Sequence, residues 1–452
     1  MGFQNDFVWG AATSSYQIEG AAYQADKGLN IWDIFCKQPG RVFGGHTGEV
    51  ACDHYHLFRQ DVALMKEMGI KAYRFSINWA RLIPQGTGKV SADGLRFYNE
   101  LIDCLLENGI EPYLTLYHWE LPLALHQQGG WMNPQSPKWF GEYAGVIAAH
   151  FSDRVQYYFT FNEPQVFVGH GCANGIHAPG LKMSPWDTFA MAHNVLKAHG
   201  MAVRALRDKA RGEVKIGYAP TASLHYPASE SAADIEAARQ ACFALPDVEE
   251  WTWNVPWWSD PVILGHYPEE GLRKYNPYLP QITSEDMALI HQKLDFFGQN
   301  IYNGSEVRMG EDGKPQFVPR YAGFPKTALD WPITPEALYW GPKFLCERYS
   351  LPLYITENGL SCHDVVSLDG QVHDPNRIDF LARYLGALKR AVQDGVPVKG
   401  YFHWSLLDNF EWHSGYAERF GMVYVDYRTQ QRIIKDSGYW YKKIIEENGA
   451  SL

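Results

Sequence analysis

A helix that stops at a glycine and passes directly into a β-rich run occurs at Gly69-Ile70. It occurs again 40 residues later at Gly109-Ile110, and again at Asp394-Gly395-Val396. Glycine just past a helix supplies the left-handed residue with which helices close. The apolar, β-branched residues that follow start a strand. The 40-residue spacing is that of one strand-plus-helix unit, so the chain reads as a repeated fold unit without a repeated sequence. Eight strands are predicted, over residues 7–13, 70–77, 112–117, 155–161, 214–219, 294–301, 352–356 and 398–404. Helices are predicted between them. Asp53 caps one over 54–68, where Phe58, Val62 and Met65 share a face. Others cover 91–108, with Leu95, Tyr98, Ile102 and Leu105 on the apolar side, then 139–151, 185–209, 335–349 and 377–393. Residues 21–52 read as loop, 231–292 as interrupted helices, and 303–332 as a long surface excursion.

Strands alternating with helices imply a parallel sheet, and eight units imply closure. The expected fold is α/β, a single (β/α)8 barrel with elaborated βα loops, and residues 1–452 form one catalytic domain. A barrel of this kind exceeds 400 residues when its loops carry insertions. Aromatic residues make up 15% of the chain, with 16 Trp. Flat sugar-binding platforms and bulky packing both account for them. With 51 acids against 40 bases, the formal charge is −11. No Lys/Arg cluster marks a nucleic-acid surface. Seven cysteines, at 36, 52, 104, 172, 242, 346 and 362, form no CxxC pair, which points away from a disulfide framework or zinc site and toward a reducing compartment. The start Met1-Gly2-Phe3-Gln4-Asn5-Asp6 has no basic and apolar leader pattern, and no apolar run approaches 18 residues. The expected location is therefore cytoplasmic, with no membrane partner.

Two of the predicted strands end alike. Phe159-Thr160-Phe161-Asn162-Glu163-Pro164 and Tyr354-Ile355-Thr356-Glu357-Asn358-Gly359 each run from apolar residues into a carboxylate. In a barrel both acids fall on the C-terminal rim, where barrel enzymes place their chemistry. Glycoside hydrolysis needs two carboxyl groups flanking one bond, one to protonate the departing oxygen and one to attack the anomeric carbon or activate water. Either glutamate alone is as well explained as an exposed strand-end acid. The pair in matching positions is not.

Four stretches resemble glycoside hydrolase family 1. They are Phe7–Gly20 (FVWGAATSSYQIEG), Thr160-Phe161-Asn162-Glu163-Pro164, Tyr354-Ile355-Thr356-Glu357-Asn358-Gly359, and Trp404-Ser405-Leu406-Leu407-Asp408-Asn409-Phe410-Glu411-Trp412. The resemblance spans nearly the whole chain, in the family's order. It implies a retaining β-glucosidase acting on small β-glucosides and short oligosaccharides from the non-reducing end, without metal or cofactor. By the same resemblance Glu163 is the acid/base and Glu357 the nucleophile. Arg74 lies against Glu357 and keeps it ionised, Asn300 supports the pair, and Tyr302 bonds the nucleophile. Gln17, His118, Asn162, Trp404, Glu411 and Trp412 hold the terminal sugar, Trp119 lies on the same face, and Trp331 is the platform for the leaving group.

Glu411 bears on the substrate. Relatives that act on 6-phosphorylated sugars replace the Glu-Trp pair with small residues, and a carboxylate there repels phosphate. Broad β-galactosidase or β-fucosidase activity stays open, since it turns on sub-ångström placement of Gln17 and Glu411. The resemblance also admits a 6-phospho-β-glucosidase and a non-catalytic sugar-binding relative. The second would lack one of the two glutamates. A thioglucosidase would carry Gln at 163. His54, His56, His118, His170 and His177 form no evident ligand set. Asn300-Ile301-Tyr302-Asn303 departs from the family's Asn-Tyr-Tyr-Thr but keeps the tyrosine. The segments 221–229 and 303–332 are individual and edge the outer cleft. Cys172 is expected as a small buried hydrophobe or as part of the cleft wall.

Overall fold

In the computed structural model, which describes residues 2–452, eight strands form one sheet. They are β1 (Val8–Ala12), β2 (Ala72–Ser76), β3 (Glu111–Tyr117), β4 (Tyr157–Asn162), β5 (Lys215–Ala219), β6 (Phe297–Asn300), β7 (Leu353–Asn358) and β8 (Val398–Trp404). Their order is β5-β4-β3-β2-β1-β8-β7-β6, all parallel. Pairing of β1 with β8, Val8 opposite Gly400 through Ala12 opposite Trp404, joins the two halves. The seam between β5 and β6 is spanned by two backbone hydrogen bonds, Asp295 N–H to Ile216 O (2.9 Å) and Asn300 N–H to Pro220 O (3.0 Å), and by Ile216 N–H to the Asp295 carboxylate (2.8 Å). This is the expected (β/α)8 barrel.

The apolar residues separate into two cores because each strand has two faces. Ala12, Ala72, Tyr113, Phe159, Ala219, Phe296, Tyr354 and Phe402 fill the barrel interior. Small residues on some strands make room for aromatic rings on others. Residues of the opposite faces pack against the surrounding helices, such as Ala92–Glu107 and Pro185–Lys209. Gly217, between the outward-packed Ile216 and Tyr218, is one of the small residues that face the barrel interior. A Cβ there would lie 2.0 Å from the Phe296 ring, at the seam that has the fewest ladder bonds. Gly217→Ala is expected to lower stability by about 1–3 kcal/mol through overpacking, read as a fall in Tm with little change in the kinetics of the folded fraction.

Several local expectations are corrected. Asp53 precedes the helix His54–Glu67 but does not cap it. Its backbone is left-handed (φ 50°), and its carboxylate pairs with His56 at 2.5 Å. The segment 303–332 is not wholly irregular: Glu306–Met309 pairs antiparallel with Pro315–Phe317 and parallel with Tyr226–Pro227. The loop 21–52 contains a helix, Ile31–Phe35, closed by an Asn30–Asp33 capping box. Beyond the barrel, the hairpin Val423–Val425 with Arg432–Ile434 and the helix Asp436–Glu446 pack on the outside. Among the described residues no helix is long and apolar enough to cross a membrane.

Candidate active site

The C-terminal ends of the strands deliver the polar residues to one rim. Glu163 follows β4 directly. Its N–H still bonds to Ala219 O at 2.9 Å, and then its backbone turns left-handed (φ 43°). Pro164, which disfavours right-handed helical geometry in the residue before it, opens the short helix Pro164–Val168. Trp119 (φ 87°) and Trp412 (φ 49°) are strained in the same sense. Non-glycine residues in this region cost about 1–3 kcal/mol each and gather at functional sites. Glu357 lies in β7 opposite Asn300 of β6.

One continuous network joins the two glutamates. Arg74, in the middle of β2 and fully enclosed, donates from Nη1 to Glu357 Oε1 (2.7 Å) and to Thr356 O (3.1 Å), and from Nη2 to Asn162 Oδ1 (2.6 Å). Tyr302 Oη donates to Glu357 Oε2 at 2.8 Å. Asn300 Nδ2 donates to Glu163 Oε1 (2.8 Å) and to Asn162 Oδ1 (3.1 Å), and Thr356 Oγ1 donates to Asn300 Oδ1 (2.6 Å). Asn162 Nδ2 in turn donates to His118 Nε2 at 3.1 Å. That bond leaves the His118 proton on Nδ1. Burial and the nearby Arg74 charge keep the ring neutral by pushing its pKa well down.

The electrostatics separate the two acids. Burial, with the charge of Glu357 added, pushes Glu163 up to about 8. Burial raises Glu357 as well, and it is opposed by the Arg74 ion pair and the Tyr302 and Asn300 bonds. The expectation that Arg74 simply holds Glu357 low is thus modified, because enclosing a carboxylate costs more than a single cation returns. Glu357 nonetheless has a cation in contact and Glu163 has none, so of the two Glu357 is the more readily ionised. Burial and the neighbouring carboxyls also push Tyr302 well above its ordinary range, which keeps it a donor.

These groups open into a cleft of about 860 Å3. Its wall includes His118, Trp119, Glu163, Tyr302, Trp331, Glu357, Trp404, Glu411 and Trp412. Rings form its sides: His118 stacks on Trp404 (5.7 Å between centroids, 21° between planes), and Trp119 lies 4.5 Å from Trp412. Trp331 meets Tyr302 edge-on at 5.1 Å. Gln17 and Asn162 stand behind this wall, with all their polar atoms engaged. Gln17 Nε2 donates to Asn409 Oδ1 (3.0 Å) and Phe410 O (2.8 Å), and its Oε1 accepts from Ser14 (2.6 Å). Asn409 and Ser14 therefore orient Gln17, a role that nothing in the sequence marks although both lie inside the quoted motifs. Asp408 is a further residue of this kind. It is enclosed and accepts from Lys435 (2.7 Å) and Arg419 (2.6 Å), pinning the loop that carries Glu411.

Of the tryptophans between 251 and 258, Trp251, Trp257 and Trp258 are core, while Trp253 is half-buried and lines the cleft beside His170. Cys172 is buried and faces a separate cavity of about 340 Å3. Among the described residues no three His, Cys, Asp or Glu side chains converge as metal ligands.

Comparison with known proteins gives a consistent result. The model of Glycosyl hydrolase family 1 matches residues 1–450. Beta-glucosidase A of Thermotoga maritima is 47% identical over 450 residues, covering 99% of this chain and 98% of that protein. Beta-glucosidase A of Acetivibrio thermocellus is 45% identical over 453 residues, covering 99% of each. The structure of the Thermotoga maritima beta-glucosidase in complex with glucoimidazole superposes with a TM-score of 0.90 over 99% of both chains, at 47% identity. With sequence, barrel and rim in agreement along its whole length, this chain belongs to glycosyl hydrolase family 1.

Proposed function

We propose that this chain is a retaining β-glucosidase that releases terminal glucose from aryl and alkyl β-glucosides and short cello-oligosaccharides. Residues 1–452 act as one catalytic domain. The observation that carries the reading is the unequal pairing of the two buried acids. Glu357 is held between Arg74 and Tyr302, whereas Glu163 accepts from the neutral amide of Asn300 and meets no cation. An ionised carboxylate and a protonated one, facing one cleft, are what double displacement needs.

Glu163 gives its proton to the glycosidic oxygen as Glu357 attacks the anomeric carbon, and the alcohol leaves. The resulting ester removes the negative charge of Glu357. Glu163 then becomes more acidic and takes a proton from the water that attacks the anomeric carbon, which breaks the bond to Glu357 and returns both groups to their starting state. The cycle uses only carboxyl groups and water, so it needs no cofactor. Arg74 and Tyr302 fix the nucleophile, and Asn300 fixes the acid. Gln17, His118, Asn162, Trp404, Glu411 and Trp412 hold the terminal ring, with Trp119 beside them and Trp331 under the leaving group. Gln17 and Asn162 reach the sugar by exchanging bonds they now make within the protein.

Burial and the charge of Glu357 push Glu411 up to about 8, so near neutral pH it donates as well as accepts. This suits a sugar hydroxyl. A phosphate dianion would instead be placed in an enclosed wall that also holds Glu357. An aryl β-glucoside is expected to be hydrolysed with kcat/KM at least about 100-fold above its 6-phosphate, since bringing like charges together at modest effective dielectric costs several kcal/mol. Comparable rates on the two would overturn the substrate assignment. Some activity on β-galactosides belongs to the same reading, because the Thermotoga maritima relative has also been crystallised with a galacto-configured hydroximolactam. The seven unpaired cysteines support residence in a reducing compartment such as the cytoplasm.

A further inference from the structure

The cleft is chemically polarised. Glu163, Glu357 and Glu411 stand at the catalytic rim, and among the described residues Arg320 is the one permanent cation in the lining. Arg320 belongs to the segment that follows the hairpin Glu306–Met309 and Pro315–Phe317, away from the strand ends that carry the acids. Its Nη2 donates to Gly304 O (3.0 Å) and Ser305 Oγ (2.9 Å), so the group is anchored by neutral acceptors and not by a carboxylate. In a chain with 51 acids and 40 bases, a cation held beside a ligand cleft by neutral groups alone is suited to an anion from outside. The guanidinium has five N–H donors and no acceptor, and those not used by Gly304 and Ser305 are free to meet one.

His225 completes this end. Ser305 N–H donates to its Nδ1 at 3.2 Å, which leaves the ring proton on Nε2 and makes that nitrogen a second donor. Burial and the adjacent Arg320 push His225 down to about 4, so the ring stays neutral across the working range. Phe317 closes on His225 edge-on at 4.9 Å. Arg320 and His225 both line the cleft, so its wall here carries a guanidinium fork and an imidazole N–H. That donor set matches a planar carboxylate attached to an aromatic or alkyl body. The cleft volume, about 860 Å3, lies toward the upper part of the range for small-molecule sites, about 300–1,000 Å3. It leaves room for a substituted leaving group beyond the glucosyl ring.

We propose that Arg320 and His225 form a site for an anionic substituent of the leaving group, so that the enzyme favours β-glucosides of carboxylate-bearing alcohols and phenols over their neutral counterparts. The inference rests on the β-glucosidase reading and names the substrate class within it. Arg320 is solvent-exposed, so the expected preference is modest: about 3- to 5-fold, as for exposed ion pairs.

The test measures kcat/KM for 3- and 4-carboxyphenyl β-glucosides and for their methyl esters. The acid-to-ester ratio is compared among wild type, Arg320→Gln and Arg320→Lys, so that intrinsic leaving-group reactivity cancels. The ratio is expected to fall about 3- to 5-fold in Arg320→Gln and to stay near the wild-type value in Arg320→Lys. In wild type it should fall as sodium chloride is raised, because an exposed pair is screened. The salt titration reads the same contact with no substitution. A ratio that is insensitive to both salt and Arg320→Gln overturns the proposal. Failure of the esters themselves to be hydrolysed would overturn the β-glucosidase reading first.

Discussion

Glu357→Ala is expected to lose on the order of 10⁵–10⁶-fold in kcat on an activated aryl β-glucoside, the scale on which hydrolases lose activity when a covalent nucleophile is removed. The residue is enclosed, with Arg74 at 2.7 Å from one oxygen and Tyr302 at 2.8 Å from the other. Truncation leaves the Arg74 charge facing a hole about the size of a small anion. Azide added to the variant should occupy that space, attack the anomeric carbon and give the α-glucosyl azide, while Glu163 is no longer needed for a leaving group that departs unaided. Folding is checked in parallel by Tm, since Arg74 would then be a buried cation with only Asn162 and the Thr356 carbonyl as partners. Retained activity without azide would remove Glu357 from the nucleophile's role.

Glu163→Ala has the second largest expected effect, and its signature is selective. A general acid contributes about 10²–10⁴-fold, and only where the leaving group needs a proton. Alkyl glucosides and cellobiose should lose that full factor in kcat/KM. Glucosides of strongly acidic phenols should lose little in the first step, and the glycosyl-enzyme should then accumulate because no base activates water. The pH profile supplies the sign. The protonated form of Glu163 is the active one in the first step, and burial and the charge of Glu357 push its pKa up to about 8. Wild-type kcat/KM on a poor leaving group should therefore hold through neutral pH and fall as pH rises through about 8. In Glu163→Ala that alkaline limb should vanish. An unchanged alkaline limb would assign it to another group, and Glu411, also pushed up to about 8, would be the first to test.

Much of this site is legible in the sequence because strand ends are local features. A buried parallel strand is a nearly continuous apolar run, so Tyr158-Phe159-Thr160-Phe161 and Leu353-Tyr354-Ile355 announce themselves, and the polar residue that stops each run is the one presented to the rim. The helix ends at Gly69 and Gly109 are legible for a similar reason: each takes a left-handed backbone, φ 70° and 74°, that few other residues tolerate. What stays hidden is set by distant parts of the chain. The pairing of Asp408 with Lys435 spans 27 positions and encloses both side chains completely, and no periodicity marks charged residues as buried. Glu306–Met309 and Pro315–Phe317 are too short and polar to read as strands, yet they pair with each other, and the distant Tyr226–Pro227 pairs with the free edge of Glu306–Met309. Asp53 has the composition of a helix cap, but its left-handed backbone turns the carboxylate toward His56. Whether Gln17 fronts the cleft or stands behind its wall depends on Ser14 and Asn409 together, a three-body arrangement that no single motif specifies.

Double displacement requires a covalent glucosyl ester on Glu357, formed and then hydrolysed with retention. The most direct measurement incubates wild-type enzyme with a 2-deoxy-2-fluoro-β-glucoside bearing a good leaving group, digests the inactivated protein, and locates the added sugar by mass spectrometry. The expected result is one sugar per chain, carried by the peptide Tyr354-Ile355-Thr356-Glu357-Asn358-Gly359 and fragmenting to Glu357. A label on Glu163 or any other residue, or steady turnover with no label and release of α-glucose as the first product, would contradict it.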